Sequence, residues 1–403
     1  MKYTIVIATA LLFAVQSVFA ESPLSARGYG KQIEVSSVRA AGMGLAAIAA
    51  PDSLSLDLLT PANWGGPSKT RFGFGTFMGR TNATDGTGSD GSDEGGITGV
   101  GIAFHVKRGL FFGMTLAPYT LLEYKWRSTE TLDWATASIR RQGDGGLSQA
   151  LIGISIPVRE GVRVGVAARP VFGKVERLWA TEFPNVSALK ASQTISDRYS
   201  GLGWSLSGSW TDGIWCGGML LQTPLNATVE RQKVVGAGSV AQVNETEMLS
   251  EDIALPMEVT FGLGRRQGEH LYSSEFAWKR WGAVARPAGS DKLDNALRLS
   301  AGWEWAPVNR PLDPFWRGLI YRAGAYTNDF YALSQSDHQA RKMALTFGLG
   351  VPYAGNRSRI DLALELAMTG DKVKDGAEET YIGLTIGFNH SETWFVGRKE
   401  RGK

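Results

Sequence analysis

The chain has 403 residues, among them 50 Gly, 13 Trp and one Cys, with a formal net charge of +3. So small a charge, mixed with acidic residues nearly everywhere, argues against a nucleic-acid partner, and a lone Cys216 excludes an intramolecular disulfide framework. Beyond residue 20 no stretch approaches the ~20 apolar residues that a spanning helix needs, so a membrane role would fall to a closed barrel of strands.

Residues 1–20 read as a secretory signal: Lys2, an apolar run from Thr4 to Val15, and Val18-Phe19-Ala20 as the cleavage site. Residues 21–68 do not alternate. Small residues dominate there, as in Val38-Arg39-Ala40-Ala41-Gly42-Met43-Gly44-Leu45-Ala46, which suits a segment packed closely inside something else. From residue 69 the pattern changes to apolar, small-or-polar, apolar, as in Met343 to Val351, Leu297 to Trp305 and Tyr381 to Asn389. A period of two places one row of side chains on each face of a strand.

Tight turns at Lys107-Arg108-Gly109, Arg159-Glu160-Gly161, Thr211-Asp212-Gly213, Gln267-Gly268-Glu269 and Ala354-Gly355-Asn356 punctuate this region, with a Pro-rich turn from Pro307 to Pro314. Longer polar connections lie between them at 81–94, 127–145, 180–196, 231–254, 283–293, 332–338 and 370–377. Outer-membrane barrels pair short periplasmic turns with long extracellular loops. The spacing therefore predicts strands at 69–80, 95–107, 109–126, 146–158, 160–179, 197–210, 213–230, 255–266, 269–282, 294–307, 316–331, 339–351, 357–369 and 378–389. The number is even, as both chain ends on the periplasmic side require. The stretch 130–141 also alternates and is read as a loop extension, because a further strand would break the parity. The expected fold is all-β, a transmembrane antiparallel barrel over 69–390, with a plug at 21–68 and a basic tail at 391–403.

Alternation assigns the faces. Met257, Val259, Phe261 and Leu263 should meet lipid, and Glu258, Thr260, Gly262 and Gly264 the lumen. Ile360, Leu362, Leu364, Leu366 and Met368 should likewise face out, with Asp361 and Glu365 inward, since a charge at the lipid midplane costs about 2–4 kcal/mol. Trp278, Trp281, Trp303, Trp305, Trp316, Trp394 and Phe395 fall near strand ends and read as an aromatic girdle. Of the four histidines, His105, His270 and His390 fall at short-turn ends. His338 sits in a polar loop beside Ser334, Ser336 and Asp337. No hydrolase or metal motif accompanies them, so neither an enzyme nor a cofactor is expected.

Arg39, Gly42, Gly44 and Ala46, followed by Asp52 and then Pro61-Ala62, resemble the N-terminal hatch of the outer-membrane long-chain fatty acid transporters (FadL) and related hydrophobic-compound channels. Thr60 departs from that pattern, where the family has Asn. Lys174-Val175-Glu176-Arg177, Leu255-Pro256 with Trp278 and Trp281, and Tyr321-Arg322-Ala323-Gly324 are similar to later strands of the family. The resemblance implies a monomeric passive channel that takes hydrophobic molecules such as fatty acids, with outer-membrane lipid around it. Cargo would leave sideways through a kink in the third strand. Pro118 lies in that strand and gives no N–H to the ladder, although it also fits a strand emerging from the membrane. A fatty-acid carboxylate would call for an inward Arg. Alternation turns Arg163, Arg169 and Arg177 inward unless Pro170 reverses the phase, and Arg177, then Arg169, are the binding candidates. The plainer alternative is that these arginines neutralise lumen acids such as Glu258, Glu304 or Glu365. A second functional reading is a barrel of this architecture that serves a secretion system as a protein carrier, which the polar 231–254 loop suits.

Overall fold

A row of large apolar side chains alternating with Gly, Thr, Ser and charged residues closes on itself without a helix layer. The computed structural model describes residues 23–393 apart from 35–36, 67–68, 87, 108, 132–135, 184–189, 238–239, 246–250, 285–290, 309–312, 335 and 355–356. The signal at 1–20, Trp394, Phe395 and the rest of the basic tail lie outside these residues. The strands are β1 (Lys31–Gln32), β2 (Thr70–Asp85), β3 (Ser89–Lys107), β4 (Leu110–Leu121), β5 (Tyr124–Thr131), β6 (Thr136–Arg159), β7 (Val162–Glu182), β8 (Lys190–Thr211), β9 (Trp215–Gln222) and β10 (Leu225–Ala237). They continue with β11 (Val240–Glu245), β12 (Glu251–Leu255), β13 (Glu258–Gln267), β14 (His270–Lys279), β15 (Ala296–Trp305), β16 (Ile320–Asp329), β17 (Arg341–Tyr353), β18 (Ser358–Asp371) and β19 (Ala377–Glu392).

Each strand from β2 onward pairs antiparallel with its neighbours, and β19 pairs with β2 from Ala377↔Asp85 to Glu392↔Thr70, which closes the sheet. Three staves are broken: β4 and β5 form one, β9 and β10 another, and β11, β12 and β13 a third. The result is a closed antiparallel barrel of fourteen strands, as the turn parity predicts. Two of the breaks fall at Pro224 and Pro256, where a residue without an N–H cannot extend the ladder.

The predicted faces hold. Met343, Leu345 and Phe347 on β17 are 58%, 56% and 49% exposed, while Thr346 between them is 1% exposed. Phe261 and Leu263 point out and Thr260 in; Ile360, Leu364, Leu366 and Met368 point out and Asp361 in. Pro170 does not reverse the phase of β7, whose register with β8 runs unbroken from Val162↔Trp210 to Glu182↔Lys190.

Three sequence expectations need correction. Much of 81–94, 127–145, 180–196 and 231–254 is strand rather than loop. These stretches carry polar residues on both faces, so the apolar half of the alternation vanishes while the pairing persists. The described residues of 130–141 add no further stave, as the parity predicts, but they are paired strand rather than loop, β5 with β6 from Tyr124↔Gly143 to Thr131↔Thr136. Trp281 is no girdle residue: it is fully buried and stacks on Tyr331, ring centroids 4.1 Å apart. Trp316 is 63% exposed and, with Trp303 and Trp305, fits the girdle at the short-turn end.

Candidate functional site

The N-terminal segment meets inward-facing residues on opposite walls of the barrel. A short helix, α1 (Val38–Ala41), capped by Ser37 Oγ accepting from Ala40 N, presents Arg39 to β15. Arg39 Nε and Nη2 donate to Glu304 at 2.7 and 2.8 Å. Glu304 also accepts from Arg322 Nε at 2.8 Å, and Arg322 Nη1 donates to Asp361 at 2.7 Å. Asp361 accepts from Arg359 Nε at 2.9 Å, and Arg359 Nη2 returns to Asp52 of the N-terminal segment. Asp52 lies 3.8 Å from Arg39 Nε, which completes a ring of three arginines and three carboxylates. Burial alone would raise the Asp52 carboxyl, but Arg359 and Arg39 outweigh it and hold the group below the ordinary carboxylate range. Removing one member of such a buried set leaves an uncompensated charge, which typically costs about 3–5 kcal/mol.

The small residues of this segment are explained by close approach. Gly44 has φ +62°, and a Cβ there would meet Ala325 N at 2.6 Å; a Cβ on Gly42 would meet the Gly348 Cα at 2.8 Å. Across the lumen, Ala62 N donates to Ser207 Oγ at 2.8 Å and Ser155 Oγ donates to Ala62 O at 3.0 Å. Pro61 opens the 3-10 turn Pro61–Trp64, and Thr60 makes no side-chain cap there. Asp57 replaces it, accepting from Thr60 N at 3.0 Å and Asn63 Nδ2 at 3.0 Å. Glu34 adds a bridge to the wall at Lys279 (2.8 Å) and Arg298, which outweigh burial and hold its carboxyl at about 2.

The ladder between the second and third staves is incomplete. β3 pairs with β4 from Lys107↔Leu110 to Val100↔Leu116 and no further. Above that point, residues 89–99 of β3 pair with β2, and β5 pairs with β6. The separation starts where both strands are irregular: the register of β3 shifts around Thr98, and that of β4 between Pro118 and Thr120. Pro118 thus stands at the foot of a seam. The vacated edge of β4 is taken by β1, with Lys31↔Leu121 and Gln32↔Thr120 paired and Ile33 N donating to Tyr119 O at 3.0 Å. From β1, Lys31 Nζ reaches across to Glu94 of β3 at 3.0 Å. The sequence gives no hint of β1, because two residues carry no period.

The two arginine candidates differ. Arg169 is 1% exposed and donates to Gln222 Oε1 (3.0 Å) and Thr223 O (2.9 Å), bracing the break between β9 and β10. Arg177, with a side chain 20% exposed, makes longer contacts to Asp197 (3.4 Å) and Gly28 O (3.3 Å). Asp197 is held more closely by Arg231 at 2.6 and 3.0 Å. The partners suggested for these arginines are engaged elsewhere: Glu258 faces Lys279, Glu304 binds Arg39 and Arg322, and Glu365 binds Lys342.

A cavity of about 120 Å³ lies beside β1, lined by Lys31, Glu34, Tyr326, Lys342, Glu365 and Tyr381 among others. A larger mouth of about 1310 Å³ opens at the long-hairpin end and is rich in charge, including Arg27, Asp85, Asp90, Lys125, Arg127 and Asp291. At its rim His338 Nδ1 meets Asp375 at 2.6 Å, whereas Ser334 Oγ accepts from the His338 backbone N and Asp337 pairs with Lys292. Among the described residues no group of three His, Cys, Asp or Glu is placed to hold a metal.

This architecture is shared with solved outer-membrane barrels. The toluene transporter TbuX of Ralstonia pickettii superposes with a TM-score of 0.58 at 13% identity, over 89% of this chain and 98% of that one. The toluene transporter TodX of Pseudomonas putida gives 0.56 at 15% identity, over 94% and 100%. A FadL homologue of Pseudomonas aeruginosa gives 0.55 at 10% identity, also over 94% and 100%. At such identities the likeness is one of fold: a FadL-like outer-membrane barrel. No curated protein matches the chain. The family model of BamG matches residues 1–400, nearly the whole sequence, and the chain belongs to the BamG family.

Proposed function

We propose that this barrel is a monomeric, passive outer-membrane channel for hydrophobic molecules, which leave sideways into the surrounding lipid through the seam between β3 and the β4–β5 stave. The observation that carries the reading is the ladder that stops at Val100↔Leu116 while a strand of the N-terminal segment fills the vacated edge. A strand edge facing lipid is costly, because its N–H and C=O groups have no water to bond. A two-residue strand covers only a few of these groups, so uncovering that stretch costs far less than parting a full stave. The N-terminal residues 21–68 act as the hatch, closed when β1 covers the edge of β4. The named substrates of TbuX and TodX are consistent with hydrophobic cargo. Long-chain fatty acids are the finer expectation, with Arg177 rather than Arg169 meeting the carboxylate, since Arg169 is 1% exposed and both its Nη atoms already donate, to Gln222 and Thr223 O.

The test locks the seam. Gln32 and Thr120 are directly opposed across β1 and β4, so Gln32→Cys with Thr120→Cys places two thiols at cross-strand distance. In proteoliposomes, oxidation should stop delivery of a fluorescent long-chain fatty acid to the bilayer, and reduction should restore it. Delivery unchanged by the lock would refute lateral exit. Deleting 21–68 should raise single-channel conductance while the barrel stays folded; an unchanged conductance would refute the hatch. The charged mouth favours one other reading, a carrier for exported proteins in a secretion system. That reading gains if neither the lock nor the deletion alters delivery.

A further inference from the structure

Tyr29 occupies a place built for an aromatic ring. Its side chain belongs to the N-terminal segment and is 8% exposed. It lies against Trp281, centroids 5.8 Å apart at an interplanar angle of 24°, and meets Tyr199 edge-on at 6.4 Å and 89°. Trp281 is backed in turn by Tyr331. Offset-stacked and edge-to-face pairs of this kind are the favoured aromatic geometries. Leu122, which lies in the break of the third stave, and Tyr124, the first residue of β5, belong to the same buried cluster. The slot therefore adjoins the seam.

The turn that delivers the ring is made by Gly28 (φ +59°) and Gly30 (φ +96°). A Cβ on Gly28 would meet the Tyr331 ring at 2.8 Å, and one on Gly30 would meet Leu121 O at 2.5 Å. Hydrogen bonds hold the main chain of the turn: Tyr29 N donates to Tyr331 Oη at 2.7 Å, and Tyr331 Oη donates to Gly30 O at 2.8 Å. The ring itself is held by aromatic contacts. Trp281 is fully buried, yet among the described residues nothing accepts from its Nε1–H. A buried donor without a partner is uncommon and points to a missing acceptor.

We propose that Tyr199, Trp281 and Tyr331 form a binding slot for a small aromatic molecule, with Tyr29 as its tethered occupant. An incoming ring that displaces Tyr29 moves Gly30, and Gly30 adjoins Lys31 and Gln32 of β1 on the seam edge. Filling the slot and uncovering the seam are then one event. The proposal rests on the channel reading for the ligand's exit, but not for the slot itself. While Tyr29 is home the slot is open for only a fraction of the time, and the apparent affinity falls by that fraction.

Calorimetry on the full chain in detergent, with p-cresol as probe, tests this. p-Cresol is the tyrosine side chain without its backbone. Tyr29→Ala should bind p-cresol at least about tenfold more tightly than the unaltered protein. Tyr29→Phe should stay at the unaltered affinity, because its ring still fills the slot. Adding Trp281→Ala to Tyr29→Ala should remove the gain, and cyclohexanol, of similar size without a π face, should gain little. Equal p-cresol affinity for the unaltered chain and Tyr29→Ala, or an equal gain for cyclohexanol, overturns the slot. If Tyr29→Ala fails to give the heat-shifted band of a folded barrel, the Gln32→Cys/Thr120→Cys pair decides. Oxidised, it should bind p-cresol more weakly than when reduced, and identical affinities overturn the proposal. Fatty-acid delivery that depends on the lock, together with p-cresol binding indifferent to Tyr29, would refute the slot alone. A slot that behaves as described in a barrel that delivers nothing would refute the channel reading alone.

Discussion

The two ends of the N-terminal segment are held by different physics. Around Arg39 and Asp52 it is fixed by a closed ring of buried charges and by backbone packed directly on backbone at Gly42 and Gly44. Around Gly28 to Gln32 it is fixed by one aromatic ring, by hydrogen bonds of the turn to Tyr331, Asp291 and Arg177, by two residues of strand pairing and by the Lys31–Glu94 ion pair. Breaking the first strands charges away from water; breaking the second exposes groups that a neighbouring cavity and the mouth can hydrate. On the proposed channel reading, the seam end is the part that would move, with the ring end holding the segment inside the barrel.

The largest effect is expected at the ring. Arg39→Ala leaves Glu304 and Asp52 short of a partner in a buried site, at a cost of about 3–5 kcal/mol. It should lower the temperature at which the folded band is lost on heated gels. Glu304→Gln should do the same by orphaning Arg39 and Arg322. If either variant melts like the unaltered protein, the ring is not the anchor.

At the seam end the order of effects should invert. Lys31 is partly exposed, its side chain at 27%, while Glu94 is buried at 4%, so the pair stands between a surface ion pair, about 1 kcal/mol, and the fully buried set of the ring. Lys31→Ala or Glu94→Gln should lower melting less than the ring variants do, yet should raise the rate of fatty-acid delivery in proteoliposomes. A variant that destabilises the barrel without changing delivery would erase the distinction between the two ends.

Much of this was legible in the sequence wherever a residue's role is repeated along the chain. The strand number, the lipid row of β17 and the inward acids Asp361 and Glu365 follow from period and parity. Arg39, Gly42, Gly44 and Asp52 stand out through resemblance, but their partners Glu304, Arg322 and Arg359 lie on three different strands, and no local pattern joins them. Trp281 was misread because a tryptophan near a strand end has the same appearance in sequence whether it points to lipid or into the lumen. Pro118 marks the seam because a missing N–H is a property of one residue. β1 could not be read, because its strand character is imposed by the edge that it covers.

The smallest expected effect tests whether the seam end also reads charge. Arg177 touches that end through Gly28 O and shares Asp197 with Arg231, which is the closer partner. Asp197 therefore stays paired when Arg177 is lost, and Arg177→Ala should leave folding nearly unchanged. A ligand carboxylate drawn to Arg177 must compete with Asp197 for it, which places the loss near the lower limit of a charge-assisted hydrogen bond, about 1.5 kcal/mol, or roughly tenfold in affinity. Binding of a long-chain fatty acid should weaken by that factor, and a neutral alkane of equal length should be spared. Arg177→Lys should recover part of the loss, because an ammonium keeps the charge without the planar fork. Equal losses for acid and alkane would mean that Arg177 acts through the Gly28 turn, as one more restraint on the seam. No loss for either would leave Arg177 as the counter-charge of Asp197 and nothing more.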